Sequence, residues 1–296
     1  MRPSWPDTLP AFEIALGDDD YPEQLSCTPD PPAILRGFGN PSALEMGLAV
    51  IGARKATPCG LRATRLFAGW AAGTGHVIVS GAAIGCDQAA HGAALDEGGR
   101  TVAVLGTGAD IAYPGGVGPL LTRIAQTGGA VISELPWGHP PAKWTFRARN
   151  RIIAGLAMAL VVVEAGLPSG TFLTADAALA AGRDVLVVPG SIFAPEYAGT
   201  NRLLRQGARP ITDVSDLASE LAGMSGDAAE RPGTRDLVVD GDDPLLAAIR
   251  ANPSRPDDLA RALGLDVVAI ARRIGALETA GSIVKFKDGR YGPWRQ

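Results

Sequence analysis

The residues best suited to chemistry lie in the segment KWTFRARNRIIAG, from Lys143 to Gly155. Its first nine residues include four cations, two aromatic rings and an amide, which are Lys143, Trp144, Phe146, Arg147, Arg149, Asn150 and Arg151. Cations neutralise phosphates and aromatic rings stack on bases, so this combination indicates a site for single-stranded nucleic acid. A structural explanation stays open, because cations at the head of a helix are commonly a solvated face and both rings could belong to the core.

The composition limits the classes of protein that fit this segment. The chain has 296 residues, of which 46% are hydrophobic and 20% charged. These values are ordinary for a soluble globular protein, and the length suits one large α/β domain with a small second module. The net charge is only −4, so any site for an anion must be a local cationic patch.

Neither a metal site nor a membrane anchor is indicated. Cys27, Cys59 and Cys86 are widely spaced, without the clusters typical of a disulfide framework or a zinc site. The N-terminus has no apolar signal segment, and the longest uncharged apolar run, residues 152–163, falls short of the roughly 20 residues of a membrane span. We therefore expect a cytoplasmic protein with no metal and no membrane contact.

A repeated alternation of strand-length and helix-length segments begins near residue 48. The strand-length runs are continuous in Val, Ile and Leu and comprise residues 48–52, 77–80, 101–105, 130–133, 159–164 and 184–189. Such runs are typical of strands buried on both faces of a parallel sheet. The pattern predicts an α/β fold, with a Rossmann-like, doubly wound and mostly parallel sheet over residues 45–222. In this fold, ligands bind beyond the carboxyl ends of the strands.

The loops at those carboxyl ends are rich in Gly, Ser and Thr. They include residues 52–57, 80–87 and 164–171, and they match neither a Walker A loop nor the dinucleotide pattern G-x-G-x-x-G. We therefore expect phosphate binding without a tightly held nucleotide cofactor. Arg54 follows a buried strand at a glycine loop, where a purely structural arginine is uncommon, so we interpret it as a ligand contact.

The two ends of the chain differ from this central region. Residues 1–44 are rich in Pro and acids, which predicts an extended lead-in with few regular elements and an edge strand at residues 33–36. A Gly, Ser, Asp and Glu composition predicts a linker over residues 223–243. Residues 244–296 then predict a winged-helix domain, with a turn at Gly264 and a hairpin tip at Asp288–Gly289. Such a domain could contact duplex DNA or a protein, and the sequence leaves both open.

Several motifs in this order resemble the DprA/Smf family of DNA-processing proteins over roughly residues 21–217. They include residues 50–54, 80–87, 149–155, 169–171 and 188–190. The resemblance implies a protein without catalytic activity or cofactor that binds single-stranded DNA. It also implies protection of incoming strands, loading of the RecA recombinase in natural transformation, and a homodimer formed through the Rossmann-like domain.

The resemblance also implies where DNA binds. A Gly-Ser/Thr-Arg loop of the family falls on Gly52, Ala53 and Arg54, and a lysine and a phenylalanine fall on Lys143 and Phe146. Ala53 lacks the hydroxyl that the family carries there, and Cys86 stands in place of an isoleucine, as a buried apolar substitution. The predicted DNA-binding residues are Gly52, Ala53, Arg54, Lys55, Ser80, Gly81, Lys143, Phe146, Arg147, Arg149, Asn150, Arg151, Ser169, Gly170 and Thr171.

Structural roles compete at some of these positions. Asn150 could cap a following helix, and one of the arginines could pair internally with Glu134 or Glu164. Asp87 and His91, four residues apart, could resemble an acid–base pair, but a local hydrogen bond is the better interpretation.

Two other functions are alternatives to DNA binding by the sheet. One is a nucleotide sensor or an enzyme of the phosphoribohydrolase type, although its Pro-Gly-Gly-x-Gly-Thr loop lacks the second glycine at residues 168–171. The other is a regulator that reads duplex DNA through the winged helix.

Overall fold

A computed structural model describes residues 5–6, 9–224, 243–279, 282–286 and 289–293. The chain divides into two compact units, residues 1–231 and residues 232–296. Each unit is considered separately below.

The first unit combines one sheet with eight α-helices in its described part. The strands are β1 (Ala11–Ala15), β2 (Ile34–Gly39), β3 (Gly47–Ile51), β4 (Ile78–Ser80), β5 (Thr101–Val104), β6 (Ala130–Ser133), β7 (Ala157–Val162), β8 (Asp184–Val187) and β9 (Arg209–Pro210). The helices are α1 (Glu23–Ser26), α2 (Pro58–Gly73), α3 (Cys86–Asp96), α4 (Gly118–Gln126), α5 (Lys143–Gly155), α6 (Thr171–Ala180), α7 (Ala198–Arg205) and α8 (Val214–Met224). Two short 3-10 helices, Pro41–Ala43 and Pro195–Tyr197, complete it.

Within the described residues, these nine strands form one mostly parallel sheet in the order β1-β2-β6-β5-β4-β3-β7-β8-β9. From β6 to β9 in this order all neighbours are parallel, whereas β2 is antiparallel to both β1 and β6. The predicted doubly wound α/β architecture is confirmed. Each of the six predicted strands is present, with ends shifted by no more than a few residues.

Helices cover both faces of the sheet, which explains the continuous apolar strands. On β3, Leu48 and Val50 pack with α2 and α3, whereas Ala49 and Ile51 pack with α5 and α6. Successive side chains of a strand point to opposite faces, so a strand covered on both sides must be apolar throughout. All five residues of β3 are buried.

The N-terminal segment departs from the prediction, because residues 11–39 carry two strands of the sheet. The strand predicted at the edge is β2, but β2 pairs with both β1 and β6, so it is not an edge strand. The edge is β1, and the ion pair between Glu13 and Arg36, at 3.0 Å, links the two strands. The dense prolines flank these strands and do not interrupt them, since they lie at positions 10, 22, 29, 31, 32 and 41.

The cation-rich segment is one continuous helix, α5, which begins at Lys143. Asn150 therefore lies in the middle of a helix, and the interpretation of Asn150 as a helix cap is wrong. The residue that precedes the helix is Ala142, whose side chain makes no capping hydrogen bond.

The second unit contains three helices and a pair of antiparallel strands in its described part. These are α9 (Pro244–Ala251), α10 (Pro256–Leu263), α11 (Val267–Thr279), β10 (Ile283–Lys285) and β11 (Tyr291–Pro293). Gly264 ends α10 with a φ of 63°, a left-handed conformation that favours glycine. Leu245, Ile249, Leu259, Ile270, Ile274 and Ile283 form its core. This order of elements agrees with a winged helix, which stays a prediction.

Two further predictions concern residues outside the described part. The predicted linker includes residues 225–242, and the predicted hairpin tip includes Asp288; both lie outside the described residues. Over the part of the chain that is described, no helix is long and apolar enough to cross a membrane.

Candidate nucleic-acid interface

The site lies where the order of the parallel strands reverses. After β3 the chain adds β4, β5 and β6 on one side, and it then returns to place β7 against the other side of β3. The loops that leave β3 and β7 therefore diverge and open a crevice at the carboxyl ends of these strands. The loop after β3 begins at Gly52, and the loop after β7 leads to Ser169.

A groove of about 690 Å³ occupies this crevice. Residues from the β3 and β7 loops line it together with α5, and they include Gly52, Ala53, Arg54, Lys143, Phe146, Arg147, Arg149, Asn150, Ser169, Gly170 and Thr171. Eleven of the fifteen predicted DNA-binding residues thus surround one space. Cations and hydroxyl groups on its walls could receive phosphates, and the ring of Phe146 could receive a base or a sugar.

Arg54 and Phe146 meet across the groove. The guanidinium carbon of Arg54 lies 5.6 Å from the centre of the Phe146 ring, a cation–π arrangement. The other neighbour of this ring is Tyr113, with ring centres 5.4 Å apart. A side chain on Gly106 would collide with Phe146, so this glycine lets the ring lie directly on the loop after β5. The cation and the ring are therefore held next to each other.

The first turn of α5 is fixed through its buried face. Thr145 is buried and donates hydrogen bonds from Oγ1 to the carbonyls of Gly106, at 2.6 Å, and Ala142, at 2.7 Å. Lys143 and Arg147, four residues apart, lie on the exposed face. Neither residue belongs to an ion pair within the described structure. Both charges are thus available to a ligand in the groove.

Arg149 has a different environment, although it also reaches the groove. It is only 5% exposed, and its Nη1 donates hydrogen bonds to the carbonyls of Gly81, at 2.8 Å, and Val104. Burial lowers the pKa of Arg149 to about 10, and the nearby Asp87 opposes this shift. Burial also raises the pKa of Asp87, against the opposite effect of Arg149. Arg149 joins the carboxyl ends of β4 and β5 below the floor of the groove.

His91 lies in the same buried region. Its Nδ1 is 2.7 Å from Oγ1 of Thr101, so the hydrogen bond of this imidazole is made to Thr101. Burial, with a smaller contribution from the charge of Arg149, lowers the pKa of His91 to about 3. The ring is therefore neutral at physiological pH.

The loop that carries Arg54 is anchored at both ends. At its far end, Thr57 donates from its backbone N–H, at 3.0 and 3.2 Å, and from Oγ1 to the buried carboxylate of Glu164. Thr57 also caps α2 by accepting a hydrogen bond from Gly60 N, at 3.0 Å. Below the loop, Gly85 has a φ of 92° and no room for a side chain next to the Ala53 carbonyl. The loop is thus held in one shape.

Four predicted residues lie outside the groove. Ser80 is fully buried and donates a hydrogen bond to the Val50 carbonyl, at 2.7 Å. Gly81 is buried, with its carbonyl bound by Arg149. Lys55 is exposed but does not line the groove.

Arg151 is the fourth of these residues. Its Nη1 and Nη2 each donate a hydrogen bond to one oxygen of Glu134, at 2.7 Å, and its Nε contacts Asp30 at 2.8 Å. Of the two carboxylates predicted as possible partners of an arginine, Glu134 therefore binds Arg151, whereas Glu164 binds Thr57. Arg151 thus ties α5 to the end of β6 and to the segment before β2.

The opposite wall of the groove is the start of α6. Ser169 Oγ accepts a hydrogen bond from Thr171 N, at 3.2 Å, and donates one to Thr171 Oγ1, at 2.8 Å. Gly170 is exposed and precedes the first residue of the helix.

Sequence reasoning missed three residues that form this site. Tyr113 supports Phe146, Asp87 lies below Arg54 and lines the groove, and Glu164 anchors the Arg54 loop. For Glu164 the available signal was its position directly after β7, and for Asp87 it was the first turn of the helix that follows β4. Cys86, in contrast, is fully buried as predicted, and burial raises the pKa of its thiol to about 11. Among the described residues, no cluster of three or more His, Cys, Asp or Glu side chains could hold a metal ion.

Comparison with known proteins identifies the family to which this chain belongs. Residues 13–222 match the family model described as DNA recombination-mediator protein A. The protein Smf of Escherichia coli is 37% identical over 284 residues, which cover 93% of this chain and 76% of that protein. A DprA relative from Mycobacterium tuberculosis is 41% identical over 248 residues, 82% of this chain, and the match spans 63% of that protein's length.

Two solved structures have the same fold. DNA processing protein A of Streptococcus pneumoniae is 39% identical, with a TM-score of 0.66 over 72% of this chain and 75% of that one. The Helicobacter pylori protein, whose structure concerns its single-stranded DNA binding mode, is 29% identical, with a TM-score of 0.66 over 73% of this chain and 97% of that one. The family match covers the sheet unit with its groove, and this chain belongs to the DprA/Smf family of DNA-processing proteins.

Proposed function

We propose that this protein binds single-stranded DNA in the groove at the carboxyl ends of β3 and β7. The observation that carries the proposal is the contact of Arg54 with Phe146, 5.6 Å apart, in a groove that the two exposed cations Lys143 and Arg147 also line. Arg54 and Lys143 would contact phosphates, and Phe146 would pack on a base or a sugar. The Helicobacter pylori relative, which binds single-stranded DNA, supports this assignment.

The proposed site is smaller than the set of residues predicted from sequence. It consists of Gly52, Ala53, Arg54, Lys143, Phe146, Arg147, Asn150, Ser169, Gly170 and Thr171, with Arg149 beneath it. Lys55, Ser80, Gly81 and Arg151 are left out because they do not line the groove.

A titration with labelled oligothymidine and with a duplex of equal length, at two salt concentrations, tests the proposal. We expect tighter binding of the single strand and affinity that falls as salt rises. Arg54→Ala and Lys143→Ala should each weaken binding about tenfold, since a hydrogen bond to a charged group contributes about 1.5–3 kcal/mol.

The matched control removes a cation from the opposite edge of the sheet. Arg100 precedes β5 and pairs with Glu45, so Arg100→Ala lowers the net charge equally without changing the groove. Its affinity should equal that of the natural protein. Equal affinity of all three variants for oligothymidine would show that the groove is not the DNA-binding site.

We further propose, from family membership, that the bound strand is protected and passed to the RecA recombinase. The expected result is faster RecA assembly on oligonucleotides precoated with a single-strand-binding protein. At protein concentrations below saturation, Arg54→Ala should reduce this acceleration, because the groove of this variant would hold fewer strands.

Two other parts of the proposal concern assembly. We expect a cytoplasmic homodimer formed through the sheet unit, which sedimentation velocity would detect as a species of twice the mass.

The second unit is proposed as a winged helix, and the exposed Arg272 on α11 offers a test of its ligand. Arg272→Glu should weaken duplex binding if this unit reads DNA, and should leave it unchanged if the unit contacts protein.

A further inference from the structure

The indole of Trp144 is exposed beside the proposed DNA site. It is 61% exposed, the most of any described tryptophan, and it does not line the groove. Exposure of so large an apolar ring is unfavourable in water, and such rings are enriched where a ligand covers them. The groove therefore does not explain why the indole of Trp144 is exposed.

Helix geometry places Trp144 beside the free cations. Residues of an α-helix follow one another at about 100° around its axis, so the first turn of α5 presents Phe146, Lys143, Arg147 and Trp144 in that angular order. The two cations thus lie between two aromatic rings. Phe146 points into the groove, and Trp144 lies on the outer side.

The surroundings of Trp144 limit its motion without covering it. The ring of His139 lies perpendicular to the indole, at 89°, with ring centres 6.0 Å apart. The next residue, Thr145, is pinned to the Gly106 carbonyl, which fixes the backbone that carries the indole. Trp144 thus has a fixed backbone and one aromatic neighbour, and the rest of its indole is exposed to solvent.

We propose that Trp144 is a second stacking platform, on which a base of the bound strand rests after the strand leaves the groove over Lys143 and Arg147. This inference rests on the proposed function. A nucleobase is the occupant that the surroundings favour, because the flanking cations would hold the phosphates on either side of it. Sequence-tolerant binding of single strands uses this combination of cations and stacked rings.

The test compares Trp144→Leu and Trp144→Phe in the full chain, with oligothymidine and with an oligonucleotide of equal length that contains abasic sites. Leucine keeps an apolar side chain but cannot stack, so we expect its affinity for oligothymidine to fall about 5- to 100-fold, the range for loss of one stacked base. Phenylalanine should retain most of the affinity. The abasic strand should bind the natural protein and the leucine variant equally.

Two controls separate stacking from other effects. Trp137→Leu removes another partly exposed indole, one that donates a hydrogen bond to Glu13 near the edge strand, and it should leave affinity unchanged. The slope of affinity against salt should be unchanged in Trp144→Leu but shallower in Lys143→Ala, because only the lysine releases a counterion.

Each alternative result has a distinct meaning. If Arg54→Ala weakens binding and Trp144→Leu does not, the inference fails and the proposed function stands. If Trp144→Leu leaves DNA affinity intact but shifts the sedimentation coefficient of the protein, the ring contacts a second copy of the chain and the inference is wrong. If the natural protein does not bind oligothymidine, both fail.

Discussion

The two halves of α5 both contain cations, but these cations have different environments. In the first half, Lys143 and Arg147 are exposed and lie outside any described ion pair. In the second half, Arg149 is buried against backbone carbonyls and Arg151 is bound by Glu134. Cations two residues apart are thus exposed beside the groove or bound within the fold, according to the face of the helix that they occupy.

Removal of one cation from each half should give the largest contrast. Arg149→Met would leave the carbonyls of Gly81 and Val104 and the carboxyl of Asp87 without their cation, so the free energy of unfolding should fall by about 3–5 kcal/mol. Arg147→Ala, on the exposed face, should change it by no more than about 0.5 kcal/mol. Urea unfolding of the full chain measures both. Equal losses in the two variants would erase the distinction between the halves.

The pH dependence of stability tests the buried half through His91. The pKa of His91 is about 3 in the folded chain, below the ordinary value of 6.5. Between pH 3 and pH 6.5 the unfolded chain therefore binds a proton at His91 and the folded chain does not. Stability should therefore fall as pH drops below 6.5, by about 1.4 kcal/mol per pH unit at most. His91→Gln should remove this component. The raised pKa of Asp87 acts in the opposite direction and is present in both proteins.

Urea unfolding at several values between pH 7.5 and pH 4.5 would measure this difference. The stability curves of the natural protein and His91→Gln should diverge as the pH falls. Parallel curves would show that His91 titrates normally and that the region below the groove is open to protons.

Arg151 should show a smaller and purely structural effect. Arg151→Met should lower the free energy of unfolding by about 1–3 kcal/mol, because Glu134 keeps a partly buried charge without its bidentate partner. The paired variant Arg151→Met with Glu134→Leu should recover part of this loss. Oligothymidine affinity, measured under folding conditions, should not change. A loss of affinity without a loss of stability would return Arg151 to the DNA site.

The smallest effect is expected at Ala53, in the loop that faces the first half of α5. Ala53→Ser restores a hydroxyl at a groove-lining position, which could donate one hydrogen bond to a phosphate. We expect a gain in affinity of about two- to tenfold. Ala56→Ser, in the same loop but away from the groove lining, is the control. Equal gains in both would indicate a general effect on the loop.

The sheet could be predicted from sequence because its signal is local. Runs of Val, Ile and Leu bounded by Gly identify β3 to β8, and the reversal of strand order then places the ligand site. Of the N-terminal strands, β2 was predicted only over residues 33–36, because Gly37 and Gly39 follow its apolar run, and β1 was missed because its five residues lie in a segment rich in Pro and acids.

Internal pairing of one arginine of α5 was predicted, but which arginine it is could not be predicted, because the choice depends on distant partners. Arg149 is bound by carbonyls 45 and 68 residues earlier in the chain, and Arg151 by a carboxylate 17 residues earlier. Arg147 and Arg149 are the same residue type and lie only two positions apart in the sequence. Only the packing of α5 against the strand ends decides which of them is exposed.

The carboxylate of Glu164 has a kinetic consequence. It lies at the start of the loop that follows β7, and through Thr57 it holds the loop that follows β3, so these two loops are joined before any DNA strand binds. The loop that carries Arg54 is therefore held before binding, so the association of a DNA strand should be limited by its diffusion toward the cations. Strands should therefore exchange between molecules as rapidly as their dissociation allows.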